Sequence, residues 1–349
     1  MTNAAATRLP PAPAEVHDGS ALRPGTYEGS FGRVDLAPLL PGLGGRLRRI
    51  TQRKRWQWTS IATEEVIVSF AIVDAGYASN AFVLVVDRSS GRSLADRSWL
   101  GTPRSVSVNE HPGAGARSWF RARGGSILVE RPPGSTSFAV SIDAPGEGGD
   151  LTLRAQLDAA SAPPPLAVVM PMGPTGTDRY DCTQKTVLLP VTGTLSIGER
   201  TVRLDGGHGG LDYTHGLLPR NTSWRWGFAT GRAVDGTEVA WNLSAGMSTS
   251  GVSENAIWIG GALVPVGEAR FEFDKRHPVG AWRMVTADGA LDLTFRSLDA
   301  HREDRNLLVV RSHFVQVAGH FSGTLRAPDN RAVEVLSVPG FAEDQDVVW

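Results

Sequence analysis

The sequence predicts an all-β protein made of two tandem antiparallel β-barrels. Three observations carry this reading. From Thr59 onward the apolar residues fall at a period of two or in short runs closed by Gly, Asp-Gly or Pro, the pattern of strands. The 40 glycines and 22 prolines supply more turns than a helical protein uses. The 349 residues exceed one ordinary core, and two domains of roughly 100–200 residues follow.

Taken in order, residues 1–25 are rich in Ala and Pro, bury little apolar surface and read as a flexible tail. Residues 35–49 hold the one stretch that invites a short helix. EEVIVSFAIVD, NAFVLVVDRSSG, SWFRARGG, SILVERPPG, FAVSIDAPG and LTLRAQLD then succeed one another as strands of a first barrel over residues 26–222. WRWGFATG, EVAWNLSAG, AIWIGG, ARFEFDKR, AWRMVTADG, ALDLTFRS, NLLVVRSHFVQVAG and RAVEVLSVPG do the same for a second barrel over 223–349. Asp235-Gly236, Asp288-Gly289 and Asp329-Asn330 supply hairpin turns. Eight or nine such strands can close into a barrel that holds one small ligand, as in lipocalins. AASAPPP at 159–165 is a second candidate boundary, ranked lower because the strands after it would have to open a domain already complete. The absence of a fixed-period repeat weighs against a propeller, while a two-sheet sandwich stays open.

Lys and Arg total 35 against 36 Asp and Glu, so no field of one sign is present and nucleic acid is excluded as the expected partner. Cys182 is the only cysteine, so neither an intrachain disulfide nor a cysteine-cluster zinc site can form. The opening residues lack the basic start and apolar stretch of a secretory signal, and no apolar run is long enough to span a bilayer. The expected location is cytoplasmic.

The densest polar cluster is GGHGGLDYTHGLLPRNTSWRWGF, residues 206–228. Alternation puts Trp224 and Trp226 on one strand face, where they can wall an apolar cavity, with Asp212, Tyr213, His215 and Arg220 close in sequence. Asp212 and His215 suit a general acid/base pair, since an apolar wall raises the proton affinity of a carboxyl and histidine titrates near neutrality. The same residues also suit a purely structural tie of a bent strand, or ligand contact without chemistry. His208, Asp212 and His215 match no defined metal-ligand spacing, and no metal is expected. Lys185, Glu254 and Asn242 lie in strand-like surroundings rich in tryptophan, and Trp258 follows Glu254 as a further wall. Glu343-Asp344 reads as a sheet-end anchor, and Arg53-Lys54-Arg55, flanked by Trp56 and Trp58, as a solvated strand edge.

No G-x-S-x-G elbow, phosphate loop or dinucleotide fingerprint is present, which sets aside serine hydrolases, nucleotide-driven and nicotinamide enzymes. RYDCTQK, LDYTHGLLPRNTSWRWGFATG, SENAIWIGG and the terminal GFAEDQDVVW together resemble the uncharacterised DUF 2804 family from about residue 25 to 349. That family more distantly resembles the carotenoid 1,2-hydratase and AttH-like group, of calycin type with two lipocalin-like barrels. The resemblance implies cofactor-free acid/base chemistry (hydration, cyclisation or isomerisation) on an isoprenoid, lipid or polyketide-like molecule. It makes Asp212 the proton donor, and the residues around it add His215 or Tyr213 as the expected partner and Trp224, Trp226 and Trp258 as the expected walls. A carrier that binds such a ligand unchanged, and a scaffold whose barrels are filled by side chains, are the readings from other classes.

Overall fold

The computed structural model describes residues 8–19, 21–172, 179–247, 250–307 and 310–349. Among them, two curled antiparallel sheets account for nearly all regular structure, one almost closed into a barrel and the other a half-barrel. The first sheet follows the path Ser93–Gly101, Ser79–Asp87, Val66–Asp74, Arg53–Ala62, Gly207–Leu217, Tyr180–Ile197, Leu151–Asp158, Ser137–Ala144, Gly125–Arg131, Ala116–Ala122, Val106–Val108. Gly25–Glu28 pairs with Leu166–Pro171, which pairs in turn with Tyr180–Ile197. The second sheet runs Ala262–Pro265, Ala256–Ile259, Glu238–Ala245, Asn221–Arg232, Ala332–Val348, Val310–Arg326, Leu291–Leu307, Ala281–Thr286, Ala269–Glu272.

Neither sheet is a plain meander. Arg53–Ala62 pairs with Gly207–Leu217, and Asn221–Arg232 with the terminal strand Ala332–Val348, so each sheet is drawn together by strands far apart in the chain. The three anticipated turns form as hairpins with Gly236, Gly289 and Asn330 at positive φ. The short helix forms as a 3-10 turn at Ala37–Leu39 followed by an α-helix at Gly42–Thr51. The stretch read as a tail lies against the first sheet where it is described: Val16 is fully buried, and the Ala12 and Glu28 amides bond to Glu28 and Pro10 carbonyls.

Three apolar clusters result. One fills the first barrel and includes Phe70, Phe120, Leu153 and Tyr213. A second fills the half-barrel around Trp241, Trp282 and Phe295. The third lies between the sheets and joins Trp58, Phe82 and Met170 of the first to Trp226, Phe228, Trp258 and Phe341 of the second. Strands on this seam are buried on both faces, which is why Val66–Asp74 reads VIVSFAIVD, a nearly continuous apolar run. Ser137–Ala144, with one face in water, alternates buried and half-buried residues instead. The first two clusters pack the interiors of the barrel and the half-barrel with apolar side chains.

Candidate functional site

A cavity of about 230 Å³ opens in the seam between the two sheets. Strand alternation decides what enters it. On Tyr180–Ile197 the residues Asp181 and Lys185 point to the cavity, while Tyr180, Cys182 and Gln184 turn into the first barrel or its end. On Gly207–Leu217 Asp212 and Thr214 line the cavity, whereas Leu211, Tyr213 and Leu217 belong to the barrel core. Arg53–Ala62 contributes Trp56 and Trp58, Asn221–Arg232 contributes Trp224 and Trp226, and the last strand contributes Glu343 and Gln345.

Two transverse rows face each other across this space. In the first sheet Lys185, Asp212 and Trp58 are successive cross-strand partners. In the second, Trp226, Glu343 and Gln316 are. Trp58 Nε1 donates to Gln316 Oε1 at 3.1 Å and ties row to row, with the Trp58 and Trp226 rings edge to face at 4.9 Å. Just past Lys185 the strand carries a bulge between Thr186 and Leu189, where Leu188 takes φ 55° and its amide donates to Thr230 Oγ1 of the second sheet at 3.1 Å.

Lys185 Nζ stands 2.6 Å from Asp212 Oδ1 and 3.0 Å from Glu254 Oε2, all three side chains buried. Burial alone would lower the lysine pKa, but Asp212 first and then Glu254 outweigh it and raise it, so Lys185 is an ammonium. Asp212 also accepts from Thr183 Oγ1 at 3.1 Å and Trp56 Nε1 at 3.3 Å. Asp181 is pushed up to about 8 by burial and then by Glu254, and Glu343 to about 7 by burial, with Asp212 adding to the rise. The group therefore sets one ammonium against four carboxyls, and two of the four keep their protons close to neutral pH.

The direction of the hydrogen bonds around Glu343 is forced. An indole nitrogen only donates, so Trp58 holds the oxygen of the Gln316 amide and turns its nitrogen toward Glu343. Gln316 Nε2 then donates to Glu343 Oε2 at 2.7 Å, and Trp224 Nε1 donates to Oε1 at 2.6 Å. Both carboxyl oxygens accept from the protein. A proton on Glu343 finds no acceptor in these two neighbours and is left to the cavity that Glu343 lines.

The expected site residues separate into groups. Asp212, Lys185, Glu254, Trp224 and Trp226 come together at the cavity. Asn242 stands behind them, accepting from Trp226 Nε1 at 2.8 Å and donating to the Glu254 carbonyl at 2.8 Å. Tyr213 and His215 do not join: they are an odd number of residues from Asp212, so the pleat turns them to its other face. Tyr213 donates to the Asn109 carbonyl at 2.8 Å, and His215, beside Arg55, is held neutral by burial and then by Arg55 and Arg53. The acid/base pairing of Asp212 with His215 is thereby corrected to a contact of Asp212 with Lys185. Trp258 is buried in the seam and donates to the Pro164 carbonyl instead of walling the cavity, and Arg220 lines a separate small pocket with Gln52 and Trp349. His208 lies 3.8 Å from Glu238, away from Asp212 and His215, so these three do not converge as metal ligands. Asp181, Gln316 and Glu343 were not singled out from the sequence as site residues, although alternation in RYDCTQK already sets Asp181, Thr183 and Lys185 on one face.

The family whose pattern matches residues 11–349 is described as a domain of unknown function, DUF2804. The chain belongs to the DUF2804 family. A search of curated proteins finds no match to it. Among solved structures, that of CghA with Sch210972 superposes over 95% of this DUF2804 chain and 96% of its own, at 13% identity and a TM-score of 0.50. Kievitone hydratase from Nectria haematococca covers 95% and 98% at 11% identity and TM-score 0.48. A putative AttH from Nitrosomonas europaea covers 85% and 92% at 13% identity and TM-score 0.43. The likeness to CghA is one of fold and extends over nearly the whole DUF2804 chain.

Proposed function

We propose that this DUF2804 protein is a cofactor-independent acid/base enzyme, of hydratase, cyclase or isomerase type, acting on an apolar small molecule held between its two sheets. The observation that carries the proposal is Glu343, a carboxyl protonated near neutrality whose two protein partners both donate to it, at the wall of an aromatic cavity. A neutral acid in such a place can protonate an alkene or a carbonyl. The faces of Trp224, Trp226, Trp56 and Trp58 stabilise positive charge that develops on the ligand. Asp212, fixed by Lys185, Thr183 and Trp56, adds a preorganised negative group. In hydration, the Glu343 proton would pass to the alkene carbon, water would add to the cation, and the proton that water loses would restore the acid.

The test incubates purified protein with an apolar extract of its host and identifies what co-purifies by mass spectrometry, before and after extended incubation. The expected result is a retained compound that gains or loses water, or rearranges, with the wild type and not with Glu343→Gln or Asp212→Asn. A compound retained unchanged would make the protein a carrier, and no retained compound would make the cavity mere packing slack; either outcome overturns the enzyme reading.

A further inference from the structure

A surface helix ordinarily turns its apolar stripe toward the core. Gly42–Thr51 does the opposite. Its single buried residue is Gly45, where a Cβ would fall 2.0 Å from the Leu40 carbonyl oxygen. Leu43, Leu47 and Ile50, spaced i, i+4 and i+7, form a ridge on the far side and are 81%, 61% and 54% exposed. Scattered exposed leucines mean little, but three in one ridge are a patch. Arg46, exposed, and Arg49, half-buried, flank it. Residues 36–63 contain five arginines and Lys54 without one Asp or Glu. Asp74 answers Arg53 and Arg55, leaving the helix itself with no acidic neighbour in its own sequence.

The ridge adjoins the cavity mouth. The Ile50 carbonyl oxygen lies 2.3 Å from where a Cβ on Gly76 would stand, so the helix end rests on the turn that carries Tyr77. Lys54 Nζ braces the two, donating to the Thr51 carbonyl at 3.0 Å and the Ala75 carbonyl at 2.9 Å. Tyr77 and Leu100, both exposed, line the cavity at its rim.

We infer that Gly42–Thr51 docks the protein on an anionic lipid surface, with Leu43, Leu47 and Ile50 among the upper acyl chains and Arg46 and Arg49 at the headgroups. The cavity mouth then faces the lipid, and an apolar ligand passes into it without crossing water; this last step alone rests on the function proposed above. Ten residues make a helix of about 15 Å, half the hydrocarbon thickness, so it lies in the interface. Charge decides between lipid and a second copy of the chain, because pairing two such helices would oppose their arginines. Three side chains also present only a few hundred Å², against roughly 800 Å² per partner in a stable interface.

The test sediments the full chain with vesicles of phosphatidylcholine alone or with about one third phosphatidylglycerol. The wild type is expected to bind the anionic vesicles, less so as salt rises. Arg46→Gln with Arg49→Gln should weaken binding about fivefold per charge, and Leu43→Ser with Leu47→Ser at least about tenfold. Unchanged melting temperatures show that these exposed positions leave the fold intact. No sedimentation of the wild type, or sedimentation of either variant equal to that of the wild type, overturns the inference. So does a wild-type dimer by light scattering that the leucine variant abolishes, which would assign the ridge to a second copy. Vesicle binding is read without turnover, so its failure and that of the proposed reaction are told apart.

Discussion

Glu343→Gln isolates the buried proton on which the proposed chemistry depends. The folded protein holds this proton up to about pH 7, whereas an ordinary glutamate releases it at 4.5. Between these values the folded state binds more protons than the unfolded one, so the group's stabilisation is full below pH 4.5 and is lost as pH rises through 7. The loss amounts to about 3 kcal/mol. Glutamine does not titrate, and it retains an acceptor for Trp224 while facing the Gln316 amide nitrogen with its own, which costs about 1–3 kcal/mol at every pH. Urea unfolding of both proteins at pH 5 and pH 8 separates the two effects. The stability difference between wild type and variant is expected to move by about 2–3 kcal/mol between those pH values, in favour of the variant at pH 8. A difference that stays constant within about 0.5 kcal/mol would refute the reasoning, since Glu343 would then be ionised throughout and could not act as an acid near neutrality.

Lys185→Met leaves Asp212 and Glu254 buried without their counter-ion, and urea unfolding at pH 8 is expected to show a loss of about 3–5 kcal/mol. Lys185 has a raised pKa, so its own contribution is intact below 10.5, and a variant as stable as wild type at pH 8 would contradict the charge assignment. His301 joins the sheets at a second point, with Nδ1 2.6 Å from Asp96 and Nε2 3.4 Å from Glu303. These partners outweigh burial and raise it to about 9 from 6.5, so about 3 kcal/mol is present below pH 6.5 and lost by pH 9. Thermal melts of His301→Asn should lack that decline, and a variant with the wild-type pH slope would place its origin elsewhere.

Strand content, the hairpin turns and the face shared by Trp224 and Trp226 were legible in the sequence, because turn chemistry and the two-residue pleat are local properties. The same pleat separates Asp212 from His215, because Tyr213 and Thr214 continue the strand between them. The run VIVSFAIVD likewise announces a strand covered on both faces, though not what covers it. Which residues meet was decided only by tertiary structure. Asp212 stands between Lys185 and Trp58 because strands distant in the chain pair in one register, and Glu343 faces this row only because a second sheet closes over the first. The elevated proton affinities of Asp181 and Glu343 exist for the same reason: they come from burial and from neighbouring carboxyls, and no chain-local pattern encodes either.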